Sequence, residues 1–114
     1  MTTTKGARTR TRMIEAMVRL LQDRGYSGTG VNTVVSAADA PRGSLYFHFP
    51  DGKEELGEEA VRLAAARYLE LLRTAAAEAE TAGAAVSAVI TQVATELSES
   101  DFRLGCPVSV VALE

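Results

Sequence analysis

Residues 36–56 read SAADAPRGSLYFHFPDGKEEL, and this stretch decides the fold. It is punctuated twice. Asp39, Ala40 and Pro41 interrupt any helix that precedes them, because the residue before a proline is pushed out of the helical region. Pro50 stops the chain again. Proline is tolerated in the first turn of a helix, so the spacing predicts a short helix over residues 41–48. The segment holds Tyr46, Phe47 and Phe49, half of the aromatic residues in the chain, and the only histidine, His48. Leu45 and Phe49, four apart, share one side and can anchor the helix to a core. Arg42, Ser44, Tyr46, Phe47 and His48 then point elsewhere. The plain alternative is that the whole aromatic cluster is core, as aromatics at helical spacing usually are.

The pattern stays helical outward from there. Upstream, VNTVVSAA (residues 31–38) predicts a second short helix with Val31, Val34 and Val35 inward, since its β-branched residues do not alternate as a strand requires. SGTG (residues 27–30) is a turn, with Thr29 placed to cap the helix. Ile14, Met17, Val18 and Leu21 recur at one-face spacing in a helix over residues 9–24, which Gly25 ends. Downstream, Asp51 with Glu54 three residues later has capping-box spacing. It opens a long helix over residues 52–80, with Leu56, Ala60, Leu63, Ala64, Leu71 and Ala75 as its stripe. TAG (residues 81–83) is a break. Val86, Val89, Ile90, Val93 and Leu97 then mark a helix over residues 84–99, and Pro107 opens a last apolar stretch. No segment reads as a strand, so the expected class is all-α.

Bulk properties narrow the function. With 114 residues the chain is one domain's worth of material with a single modest core. The net charge of −3 conceals an asymmetry: residues 1–50 carry seven basic and three acidic groups, residues 51–114 five and twelve. A basic head on an acidic body suits a polyanion-binding module joined to something else, although two solvated faces of unequal charge would look the same. Cys106, the only cysteine, excludes a disulfide framework and fits a reducing compartment. The Thr/Arg-rich start lacks the apolar run of a signal peptide, and no segment has the length of a membrane span, so the expected location is cytoplasmic. His48 has no second His or Cys for a metal set and no nucleophile to activate. Neither an enzyme nor a cofactor or metal site is expected.

Two short helices joined by a tight turn, with a supporting helix on each side, describe a helix-turn-helix module. The second short helix of such a module enters the DNA major groove. A tyrosine hydroxyl and an imidazole can donate to phosphate, and Phe47 can press on a thymine methyl. Arg42 suits guanine or phosphate, and Gly43 lets backbone approach closely.

The pair Gly25 and Tyr26, the turn centred on Thr29, SAADAPRGSLYFHF (residues 36–49) and the run Lys53, Glu54, Glu55, Leu56 together resemble the tetracycline-repressor family of transcriptional regulators, over about residues 7–60. APRGSLYFHFPDGKEEL (residues 40–56) with GCPVSVVALE (residues 105–114) resembles a narrower subgroup, that of the lincomycin-resistance repressor. The resemblance implies a three-helix DNA-binding domain over residues 6–66 and part of a helical ligand-binding and dimerisation domain over residues 67–114, C-terminally incomplete against the family. It implies that Tyr46, His48, Lys53 and Thr29 meet phosphates, and that Arg42, Ser44 and Phe47 lie toward bases or backbone. Three features depart from the family. Asp39 stands at its turn glycine, Pro41 at its Ser or Thr cap, and PDG before Lys53 is one residue longer.

The expected activity is that of a ligand-responsive repressor binding an inverted-repeat operator in double-stranded DNA, as a homo-oligomer and away from membranes. Its small hydrophobic effector would be lined by Tyr68, Leu71, Val89, Val93, Phe102 and Cys106. The alternative is a truncated interaction fragment that pairs with other chains and binds no specific DNA.

Overall fold

The structure, a computed structural model, describes residues 4–101 and 105–114, the side chains at 108–110 excepted. Among the described residues there are six helices and no strand: α1 (Lys5–Arg24), α2 (Val31–Ala37), α3 (Arg42–His48), α4 (Lys53–Glu78), α5 (Ala82–Glu99) and α6 (Pro107–Ala112). Phe102 lies outside the described residues.

The core forms around α1. Met13, Ile14, Met17, Val18 and Leu21 make one buried face, and α2, α3, α4 and α6 all pack against this helix. Val34, Leu45, Phe49, Leu56 and Ala60 complete the centre without any exposure. Each large side chain buried this way stabilises the fold by about 1.5–3 kcal/mol. α1 begins four residues before the expected start at residue 9, because the Thr4 hydroxyl accepts the Ala7 N–H at 3.0 Å and caps it.

Two caps differ from their expected form. Gly30, not Thr29, occupies the N-cap of α2, with no side-chain bond. Thr29 is buried, and its hydroxyl donates to the Gly25 carbonyl at 2.7 Å. It thus closes the α1–α2 turn from inside. Likewise Gly52, not Asp51, caps α4, at φ +75°, and the carboxylate reaching back to the Asp51 N–H belongs to Glu55 rather than Glu54.

The α2–α3 turn shows why aspartate is tolerated there. Ala40 N–H bonds the Val35 carbonyl at 2.9 Å and Asp39 N–H the Ser36 carbonyl at 3.2 Å, the bond pair of a Schellman ending. That geometry needs a left-handed residue, and Asp39 supplies it at φ +52°. Arg12 supports the turn from α1, its Nε donating to the Ala38 carbonyl at 3.0 Å. Asp39→Gly removes the left-handed penalty while adding freedom to the unfolded chain, so a stabilisation of at most about 1 kcal/mol is expected from urea unfolding.

α4 is long and serves both halves of the chain: its first turns pack on the head, and it also carries α5. Gly57 sits inside it where tight packing requires no side chain. A Cβ there would lie 3.0 Å from Tyr26 Cε2 and 3.7 Å from Met17 Cε. The break after α4 comes at residues 79–81, earlier than expected, and Thr81 caps α5 by accepting the Ala84 N–H at 3.1 Å. The apolar stripe of α5 does not form a core. Val89, Val93 and Leu97 are half-buried, and Val86 and Ile90 are exposed. In α4, Leu63 and Leu71 are also only half-buried.

Candidate nucleic-acid interface

The short helix α3 is held from beneath and bare on top. Leu45 and Phe49 are fully buried, and the Phe49 N–H closes the helix on the Leu45 carbonyl at 2.7 Å. The Arg10 guanidinium lies over the Phe49 ring, 5.0 Å from its centroid, and also pairs with Glu59 of α4 at 3.8 Å. Anchored on this side, the helix presents Arg42, Gly43, Tyr46 and Phe47 to solvent.

Phe47 is 79% exposed and Tyr46 44% exposed. These values divide the aromatic cluster: Phe49 is core, and Tyr46 and Phe47 are surface. An exposed phenylalanine, a tyrosine and an arginine thus lie side by side on the outer face of α3. His48 is half-buried, its ring edge-on to Phe47 with centroids 5.0 Å apart. It faces Gly6 in the first turn of α1, where a Cβ would come within 3.7 Å of its Cε1. Lys5 and Arg8, in the same first turn of α1, are exposed. Gly52 leaves room for Tyr46, whose Cε1 would meet a Cβ there at 3.2 Å. Nothing lies within 4 Å of the Gly43 position, so the backbone of α3 is open to approach there. Ser44 is half-buried.

Of two further residues expected at this surface, one is buried and the other has a partner within the chain. Thr29 is in the core, with its hydroxyl on Gly25 and its N–H on the Tyr26 carbonyl, so no donor of its own faces outward. Lys53 directs its ammonium over the Tyr26 ring, 4.0 Å from the centroid. The same corner receives Glu114, which sequence reading did not reveal. Its carboxylate accepts the Tyr26 and Ser27 N–H groups at 2.8 and 2.9 Å, across 88 and 87 residues of chain. No local signal marks such a contact.

Those backbone bonds, Ser27's foremost, hold the Glu114 carboxyl below its ordinary value of 4.5, and nearby Lys53 adds to the effect. A lowered folded value means that the tie is present above the unfolded value and is lost as pH falls through the folded one. The Tyr26 and Ser27 amide resonances should therefore titrate together with a midpoint below 4.5, and should lose that titration in Glu114→Gln.

A cavity of about 300 Å³ lies between α1, α4, α5 and α6. Tyr68 and Leu71 line it as expected, but Val89 and Val93 are not among its lining residues. Cys106 is beside Tyr68: burial first, then Cys106 and Glu96, push the Tyr68 phenol up, so it stays protonated at neutral pH. The lining is mixed rather than apolar, since Gln22, Arg67, Gln92 and Glu96 join Val18, Ala64 and Pro107. These polar groups come from α1, α4 and α5, whose faces short-range periodicity does not bring together.

Among the described residues no group of His, Cys, Asp or Glu could hold a metal ion, and no helix is long and apolar enough to cross a membrane. No solved structure matches the chain at a significant level. Residues 13–60, from the middle of α1 into α4, match the family described as bacterial regulatory proteins, tetR family. The chain is 36% identical to the HTH-type transcriptional regulator LmrA of Bacillus subtilis, over 92% of this chain and 56% of that protein. It is 34% identical to the uncharacterized HTH-type transcriptional regulator YxaF of the same organism, over 92% of this chain and 55% of that protein. A shorter match, 36% over 46% of this chain, is to the HTH-type transcriptional repressor DhaR of a Mycobacterium species, of which it covers 26%. The chain spans about half the length of the curated relatives it matches along most of its own. With the helix-turn-helix geometry of α1 to α4 and these matches together, residues 13–60 form a domain of the tetR family of bacterial regulatory proteins.

Proposed function

We propose that the protein is a DNA-binding transcriptional regulator that lays α3 in the major groove. The observation that carries this reading is the exposed row of Arg42, Tyr46 and Phe47 on a helix pinned from beneath by Leu45 and Phe49. Arg42 at the helix start suits a guanine edge, Phe47 a thymine methyl, and Tyr46 and His48 the flanking phosphates. Lys5 and Arg8, exposed at the start of α1, add phosphate contacts. Thr29 and Lys53 are left out, because both have partners within the chain.

In this reading the regulator is a repressor. Two copies place two α3 helices in successive major grooves of an inverted repeat, about one or more helical turns apart. An effector in the cavity under α5 shifts the population between spacings that fit the operator and spacings that do not. Val86 and Ile90, exposed on α5, favour a second reading in which the chain chiefly pairs with another chain.

Selection of bound duplexes from a random pool, followed by titration across salt concentrations, separates the two. A regulator enriches a two-fold symmetric site, and its affinity falls steeply with salt, by about 0.9 in slope for each phosphate contacted. An interaction fragment enriches no sequence and sediments as a complex whether or not DNA is present.

A further inference from the structure

The cavity between α1, α4 and α5 has an electrostatic bias that points to a class of ligand. This inference rests on the reading of that cavity as an effector site. Arg67 is its one cation among the described lining residues, and it already pairs with Glu15 of α1. The Gln22 amide donates to the Gly105 carbonyl at 3.0 Å, which leaves its oxygen as an acceptor. Gln92 donates to Glu96 at 3.1 Å, which likewise leaves its own oxygen available. The Glu96 carboxylate stands at the cavity wall with the Gln92 amide, not a cation, on it. Tyr68 lines the cavity as a neutral phenol, since burial favours its protonated form. Beneath these groups lie Val18, Ala64 and Leu71.

An apolar floor, an aromatic wall and an excess of acceptors around one carboxylate suit a positive charge carried on an apolar body. We propose that this cavity takes a small organic cation, a protonated or quaternary amine on a body of one or two rings, with Glu96 and the Tyr68 ring toward the charge. Carboxylate-bearing and phosphorylated molecules are disfavoured, because they would meet Glu96 and find Arg67 already paired. A volume of about 300 Å³ lies at the lower end for ligand pockets and limits the body to that size.

Three probes of matched length test this: 4-phenylbutylammonium, 4-phenylbutan-1-ol and 4-phenylbutanoate, titrated against the full chain by ligand-detected NMR. Glu96 is solvent-accessible, so a preference of about three- to tenfold for the cation over the alcohol is expected, with the carboxylate weakest. Glu96→Gln should remove that preference and leave the alcohol's affinity unchanged, which also shows that the cavity is intact. The proposal is overturned if the alcohol or the carboxylate binds as tightly as the cation, if the preference survives Glu96→Gln, or if none of the three binds. DNA affinity measured with the cationic probe present is read separately. Cation-selective binding with unaltered DNA affinity supports the cavity's chemistry and removes its role in a ligand response, and absence of binding leaves the DNA-reading role of α3 untouched.

Discussion

Phe49→Ala is expected to destabilise the protein by about 3–5 kcal/mol, the cost of emptying a fully packed phenylalanine site. A small domain has about 5–15 kcal/mol in total, so this one change removes a large share of its stability. The ring is completely buried at the end of α3, and it also supports the Arg10 guanidinium above it. Its removal leaves Leu45 as the sole buried anchor of a seven-residue helix. A helix that short has no stability of its own and depends on packing. Phe47→Ala, only two positions away, should change stability by no more than about 0.5 kcal/mol, because its side chain is 79% exposed. Urea unfolding of the two variants side by side measures the contrast. Equal costs would mean that the division of the aromatic cluster into core and surface is wrong.

The second large effect concerns binding. In folded protein, Arg42→Ala should weaken binding to a selected duplex by about 1–3 kcal/mol and relax preference at one base position of each half-site. Tyr46→Ala should act differently. A phosphate contact carries no sequence information, so its loss weakens binding to all duplexes alike and leaves the preferred sequence unchanged. Competition titrations with single-base variants of the duplex distinguish the two patterns. Arg42→Ala with unchanged affinity and unchanged preference would remove it from the interface.

How far the sequence reveals this molecule follows from the range of each contact. The spacing of Leu45 and Phe49 is a contact within one helix, and it placed the anchors of α3 correctly. The break at Asp39, Ala40 and Pro41 was legible for the same reason, being set by residues next to one another. Thr29 was misread because its hydroxyl has two local options, capping the helix after it or closing the turn before it. The packed α1–α2 corner selects the second. The caps of α4 shifted by one residue because Gly52 reaches a φ of +75° that Asp51 would adopt only at a cost. Periodicity marked an apolar face on α5 but not what covers it, and within this chain Val86 and Ile90 stay exposed. The Glu114 tie and the polar cavity wall join segments far apart in sequence, where no pattern in a window of residues carries information.

Amide chemical-shift mapping on addition of a selected duplex tests the central claim most directly. The account predicts that the largest shifts fall on residues 42–48 of α3 and on the first turn of α1, with little change in α5. Shifts concentrated on α4 and α5, with α3 unaffected in a folded protein that still binds the duplex, would contradict it.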